Sequence, residues 1–82
     1  MYEDITYIEA LELIKKDGMA LSHLKTSFKT KNMCFEAIKQ NGMAIQFVPQ
    51  NLITKEICDL AMYANDLAYW FIPERLQHLY RD

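Results

Sequence analysis

The sequence predicts an all-α protein, a small helical repeat array of three 24-residue units with a C-terminal capping helix. Three observations support this fold class. Segments 6–29, 30–53 and 54–77 align without a gap, a threonine opens each of them, and apolar residues recur in each at helical spacing. A unit this short cannot enclose its own apolar face, so neighbouring units must stack. We therefore expect one helical-repeat domain over residues 1–82.

The first half of each unit is predicted to be an α-helix of about eleven residues. Thr6, Thr30 and Thr54 stand where a helix N-cap is expected, and Thr6 with Glu9 forms the pattern of a capping box. The apolar positions that follow share a helical spacing, and they are Ala10, Leu13 and Ile14, then Cys34, Ala37 and Ile38, then Cys58, Ala61 and Met62. Each helix therefore has one face for packing against its neighbours.

The predicted ends of these helices carry Asp17-Gly18 in the first unit and Asn41-Gly42 in the second. Glycine after a helix commonly adopts the left-handed conformation that closes it. We expect that conformation here, with the following apolar residue folding back onto the last turn. In the third unit Asp66 takes the glycine's place.

The second half of each unit is predicted to be a short buried helix. In unit two, residues 43–48 are almost entirely apolar, and a period of three to four residues continues to Leu52, although a short strand could also be argued from their composition. Pro49 and Pro73 are expected to stop or redirect these segments. Pro73 and Glu74 then favour the start of a final helix, about residues 74–81.

Composition and charge narrow the possible functions. The chain is 51% hydrophobic and 24% charged, which is typical of a globular domain. No stretch approaches the roughly 20 apolar residues of a membrane span, and the acidic opening Met1–Asp4 lacks the basic start of a signal peptide. We therefore expect a cytoplasmic protein without a membrane partner, in the host cytoplasm if a phage or an effector system encodes it.

The cysteines and histidines do not form a pattern that binds metal. Cys34 and Cys58 occupy the position that Ala10 holds in unit one, so we expect two free, buried thiols. His23 stands where the other units carry phenylalanine and is expected to pack there, whereas His78 is expected to face solvent. No metal site and no cofactor are predicted.

One combination of residues resembles a known family. Unit two joins an alanine-containing helix to Asn41-Gly42, then an alanine, then Val48-Pro49 and a leucine three residues later. It is similar to the tandem repeats of the domain of unknown function 4116, and the resemblance extends from about Thr6 to Leu76. Departures from the pattern occur at Asp17, Lys25, Asp66 and Tyr69. The resemblance implies a helical array of the kind met in bacterial, algal and viral proteins, sometimes beside effector domains, and it implies no activity.

Unit three differs from the other two at positions that are polar in them. Leu60, Tyr63, Ala64 and Trp70 stand where units one and two carry charged or polar residues. One explanation is that the C-terminal helix covers this face through Leu76, Leu79 and Tyr80. The other is an exposed patch that binds a partner protein or a second copy of the chain. Its candidate residues are Trp70, Tyr63, Tyr69, Tyr80 and Leu60, and Trp70 is the strongest of them.

A second candidate surface is basic. Seven lysines lie between residues 15 and 55, and Lys25, Lys29, Lys31 and Lys39 could contact a nucleic acid or a phosphate group. The net charge of −2 argues against a dedicated nucleic-acid binder. Lysines also commonly form the solvated face of an apolar-rich chain.

The residues do not predict an enzyme. The chain has no glycine-rich phosphate loop and no recognisable nucleophile with its base. The leading hypothesis is a non-catalytic protein–protein interaction module, an adaptor or small inhibitor that binds its partner through variable repeat faces. The alternatives are contact with nucleic acid or phosphate through the lysines, and a self-associating structural protein, for example a homodimer.

Overall fold

Three α-helices of ten residues each recur along the chain at a spacing of 24 residues. The computed structural model of the protein describes residues 5–81. Residues 1–4 and Asp82 lie outside the described residues, and so does the signal-peptide prediction, which concerns residues 1–4. The helices are α1 (Tyr7–Lys16), α2 (Lys31–Gln40) and α3 (Lys55–Ala64). Residues 5–81 contain no strand, so the all-α prediction is confirmed. The extent of the domain, residues 1–82, stays a prediction.

The threonine caps are confirmed at all three helix starts. Thr6 Oγ1 accepts from the Glu9 N–H at 3.2 Å, and Glu9 Oε1 accepts from the Thr6 N–H at 2.9 Å, which completes the capping box. Thr30 and Thr54 each cap their helix by accepting from the backbone N–H three residues later, at 3.2 and 3.4 Å. Each hydroxyl thereby satisfies an N–H that the helix itself leaves unpaired.

The predicted left-handed glycine at the helix ends is wrong. No residue in the described range has a positive φ. The chain leaves each α-helix through an extended residue, Asp17, Asn41 or Asn65, with φ of −151°, −155° and −163°. The side chain of that residue accepts from the N–H two positions later at 2.9 to 3.0 Å, and this bond starts a 3₁₀ helix.

The predicted short helices are 3₁₀ helices of six residues: Gly18–His23, Gly42–Phe47 and Asp66–Phe71. A three-residue 3₁₀ helix then leads to the next cap, at Thr26–Phe28 in unit one and at Gln50–Leu52 in unit two. In unit three α4 (Glu74–Gln77) follows Pro73 instead. The final helix is therefore four residues long, and the predicted helix over residues 74–81 was too long.

The buried apolar residues form one cluster that runs through all three units. Helix α2 packs between α1 and α3, and the protein measures 44 × 22 × 17 Å. Ala10, Cys34 and Cys58, which hold the same position in the three units, are each fully buried. Both thiols are free, as predicted. His23 is exposed, as is Phe71 at the equivalent position of unit three, and the prediction that His23 packs at an aromatic site stays a prediction.

Both glycines are buried, and the reason is the close approach of the next α-helix. A Cβ atom on Gly42 would lie 2.6 Å from the backbone oxygen of Ala61 in α3. On Gly18 it would lie closer still to the backbone oxygen of Ala37 in α2. Asp66, at the equivalent position of unit three, is exposed. The glycines therefore set the distance between stacked units.

Candidate partner-binding site

Two aromatic side chains of unit three lie almost fully in solvent. Tyr63, near the end of α3, is 92% exposed, and Trp70, in the 3₁₀ helix that follows, is 71% exposed. The equivalent positions in units one and two are also exposed. They hold Lys15 and Lys39 in place of Tyr63, and Ser22 and Gln46 in place of Trp70. Since these positions face solvent in every unit, the stacking of units does not require an aromatic ring at either place.

Trp70 is held against its neighbour Tyr69. The two rings meet edge to face, with their centroids 5.1 Å apart and their planes at 82°. Tyr69 is half-buried, and its backbone oxygen accepts from Gln77 Nε2 at 3.2 Å. This packing restricts the orientation of the exposed indole, which lowers the entropy that a partner would have to remove on binding.

Two further apolar residues of the same 3₁₀ helix are exposed, and the sequence-based prediction missed them. Leu67 is 59% exposed and Phe71 is 39% exposed. The methionines equivalent to Leu67, Met19 and Met43, are half-buried. The available signal was the place of Leu67 and Phe71 in the third unit, whose outer side no other described unit covers.

Tyr80, also predicted for the patch, is anchored to the first half of α3. Its hydroxyl donates to Asp59 Oδ1 at 2.5 Å and lies 3.4 Å from the Lys55 backbone oxygen, and its ring packs against the core. Burial, and then the hydrogen bond to Asp59, raise the pKa of Tyr80, while the same bond is the main cause that lowers the pKa of Asp59. Arg75 Nη2 also donates to the Ile53 backbone oxygen at 3.1 Å.

The C-terminal segment is therefore anchored at the first half of α3 and leaves Tyr63, near the end of that helix, exposed. Leu76 and Tyr80 pack against the core, as the covering explanation required, but Leu79 is exposed. Tyr63 and Trp70 also remain exposed. Leu60 is half-buried. The covering explanation holds in part, and the assignment of a partner to these five residues stays a prediction.

A cleft lies beside Tyr63, between the C-terminal ends of α2 and α3. Its volume is about 460 Å³. It is lined by Lys39, Gln40, Asn41 and Gly42 on one side and by Leu60, Tyr63, Ala64 and Asn65 on the other. Leu60 and Tyr63, both predicted as site residues, thus share this cleft.

Each lysine of the predicted basic face has a partner within the chain. Lys25 lies over the Phe28 ring, with Nζ 5.4 Å from its centroid, and Lys29 Nζ donates to the Phe47 backbone oxygen at 3.1 Å. Lys31 pairs with Glu56 and Lys39 pairs with Glu36, both at 3.5 Å. These exposed pairs are weak, but they place an acid beside two of the four cations.

The two thiols are poorly suited to chemistry at neutral pH. Burial raises the pKa of Cys34 to about 11, against a smaller opposing effect of Lys29. Burial also raises the pKa of Cys58, and the neighbouring Asp59 adds to this shift. Both side chains are thus protonated near pH 7, whereas the thiolate is the form that attacks or binds metal. Among residues 5–81, no three His, Cys, Asp or Glu side chains are grouped as a metal site would need.

The fold and this surface define an α-helical repeat protein in which structural positions recur and exposed positions vary. The family described as "Domain of unknown function (DUF4116)" matches the chain twice, at residues 10–53 and 30–77. The chain therefore belongs to this family, and the two overlapping matches are consistent with tandem repeats. Comparison with curated proteins and with solved structures gave no match. No helix within residues 5–81 has both the length and the apolar character needed to cross a bilayer.

Proposed function

We propose that this protein is a non-catalytic interaction module that binds another protein through the exposed aromatic face of unit three. We call this surface the aromatic face and define it by Tyr63, Leu67, Trp70 and Phe71. The observation that carries the proposal is the exposure of Tyr63 and Trp70 at positions where the other units hold polar residues. Tyrosine and tryptophan are the residues most enriched among the energetic centres of protein interfaces.

Folding does not explain why the rings of Tyr63 and Trp70 are exposed. Leu67 and Phe71, in the 3₁₀ helix of the same unit, are exposed as well. Tyr63 and Trp70 occupy positions that are exposed in the interior unit as well. Exposed apolar patches commonly mark interaction sites, and all four side chains belong to α3 or to the 3₁₀ helix that follows it. The lysine pairs described above give no support for the alternative contact with nucleic acid.

Recovery of a partner by the intact, tagged chain tests the proposal. Trp70→Ala should reduce the recovered partner at least tenfold, since a central tryptophan commonly contributes 2 kcal/mol or more to binding. Ile8→Ala is the matched control, because Ile8 is a 70% exposed apolar residue on α1. It should leave recovery unchanged.

Circular dichroism must show that both variants keep the helical content of the parent chain. Equal recovery by Trp70→Ala and Ile8→Ala would count against the aromatic face. If light scattering shows that the chain alone forms a dimer, and that Trp70→Ala makes it a monomer, the partner is a second copy of the chain.

A further inference from the structure

A side-chain carboxamide ties the first two units together. Gln40, at the end of α2, reaches the end of α1: its Oε1 accepts from the Gly18 N–H at 2.6 Å, and its Nε2 donates to the Lys16 backbone oxygen at 3.2 Å. Both backbone groups lie where α1 passes into the 3₁₀ helix, so neither has a partner within its own helix. The carboxamide satisfies one donor and one acceptor at once.

The next interface has the same geometry but lacks this side chain. Ala64 is the residue equivalent to Gln40, and Gly42 is equivalent to Gly18. A Cβ atom on Gly18 would lie 3.1 Å from Gln40 Oε1, and one on Gly42 would lie 3.1 Å from the Ala64 Cβ. Residue 64 therefore stands beside Gly42 as residue 40 stands beside Gly18.

The corresponding backbone groups of unit two are left unpaired. Within residues 5–81, no protein group pairs with the Gly42 N–H or with the Gln40 backbone oxygen. The residues that carry these groups line the cleft of about 460 Å³ described above, together with Ala64. The place that a carboxamide occupies between units one and two is thus open between units two and three.

We propose that this cleft binds a primary carboxamide, the side chain of a glutamine or asparagine on the partner protein. The inference rests on the proposed function and names the chemical group that the partner would insert beside the aromatic face. A primary carboxamide presents a carbonyl oxygen and an N–H on one edge, as Gln40 does. A carboxylate has no donor, and a trans peptide group carries its N–H and oxygen on opposite edges.

The Gly42 amide resonance of the full ¹⁵N-labelled chain reports occupancy of the cleft. Titration with Nα-acetyl-glutamine N-methylamide should shift this resonance saturably, with a dissociation constant on the order of 10 mM, because only two hydrogen bonds hold the probe. The Gly18 resonance is an internal control, because Gln40 already fills its site. Nα-acetyl-methionine N-methylamide, similar in length but without the carboxamide, should leave Gly42 unshifted.

Two variants test the position of the site. Ala64→Gln would place the chain's own carboxamide in the cleft and abolish the Gly42 response, whereas Ala64→Ser leaves the cleft open and should retain it. Gln40→Ala would open the first interface, so that Gly18 also responds. Should Gln40→Ala fail to fold, the two variants at residue 64 still decide the matter.

Three results would overturn the assignment: a silent Gly42, an equal response to the methionine probe, or a response that survives Ala64→Gln. Free glutamine binding more tightly than the capped probe would also overturn it, in favour of a free amino acid as ligand. Partner recovery that depends on Trp70 while Gly42 stays silent would remove the carboxamide site and keep the interaction module. A saturable Gly42 response, together with partner recovery that does not depend on Trp70, would keep the carboxamide site and remove binding through the aromatic face.

Discussion

Replacing Gly42 by alanine should destabilise the protein, although alanine can adopt the backbone conformation found there. Neither glycine has a positive φ. On backbone grounds alone, Gly→Ala would stabilise the protein by about 0.4 to 1 kcal/mol, because it restricts the unfolded chain. The opposing effect is steric, since the new Cβ atom would lie 2.6 Å from the Ala61 backbone oxygen. That oxygen belongs to α3, so relief requires α3 and the 3₁₀ helix that begins at Gly42 to move apart.

The steric effect should decide the sign. Overpacking a close contact costs about 1 to 3 kcal/mol. After subtraction of the entropic gain, we expect the free energy of unfolding to fall by about 1 to 2 kcal/mol, which lowers the Tm by roughly 5 to 15 °C in a chain of this size. Gly18→Ala should cost more, since its Cβ atom would approach the Ala37 backbone oxygen more closely.

Urea unfolding followed by circular dichroism measures this change, with Asp66→Ala as the control. Asp66 holds the equivalent position but is exposed, so its replacement should change stability by less than about 0.5 kcal/mol. Gly42→Asn separates the two roles of glycine, because asparagine tolerates a left-handed backbone but is larger than alanine. If Gly42→Ala is as stable as the parent chain, or if Gly42→Asn is the more stable of the two variants, the close-approach explanation is refuted.

Three further predictions concern the side-chain bonds of Gln40 and the titration of Cys34 and Asp59. Gln40→Met should lower the free energy of unfolding by about 1 to 2 kcal/mol in urea titrations, whereas Gln46→Met, which loses one exposed bond, should change it by less than half of that. The pKa of the Cys34 thiol is near 9 in the unfolded chain and about 11 in the folded one. The free energy of unfolding should therefore fall by about 1 to 2 kcal/mol as the pH rises from 9 to 11. If the Cys34→Ala variant loses as much stability over this pH range, Cys34 is not the cause. Tyr80→Phe should raise the pKa of Asp59 toward its ordinary value in an NMR titration, and an unchanged pKa would show that the hydroxyl does not bind the carboxylate.

The helices and their starts could be predicted because their signals are local. A threonine, the apolar spacing after it and the capping glutamate lie within one or two turns of each other. The helix ends were predicted wrongly because Asp-Gly and Asn-Gly suit two different structures, a left-handed cap and a side-chain cap that starts a 3₁₀ helix. The deciding contact for Gly18 is Ala37, 19 residues later in the chain, and no local pattern reveals it.

The candidate site could be predicted in part by comparing equivalent positions. Polar residues at the positions of Tyr63 and Trp70 in units one and two indicated exposed places, and both side chains are exposed. Tyr80 has no equivalent residue within the three units, so its bond to Asp59 could not be inferred in this way. Six-residue segments also fit periods of 3.0 and 3.6 equally well, which is why 3₁₀ geometry was not distinguished from α.

Glutamine at residue 64 would make the folded protein more stable than alanine does. Gln40 shows that glutamine at this position satisfies two backbone groups of the preceding unit, and glutamine is a good helix former. Alanine forgoes those bonds and leaves a cleft next to the most exposed tyrosine of the described chain. Stability alone does not account for that choice, whereas the proposed carboxamide site does, because a free donor and acceptor beside exposed aromatic rings suit a partner that supplies both an apolar surface and a carboxamide.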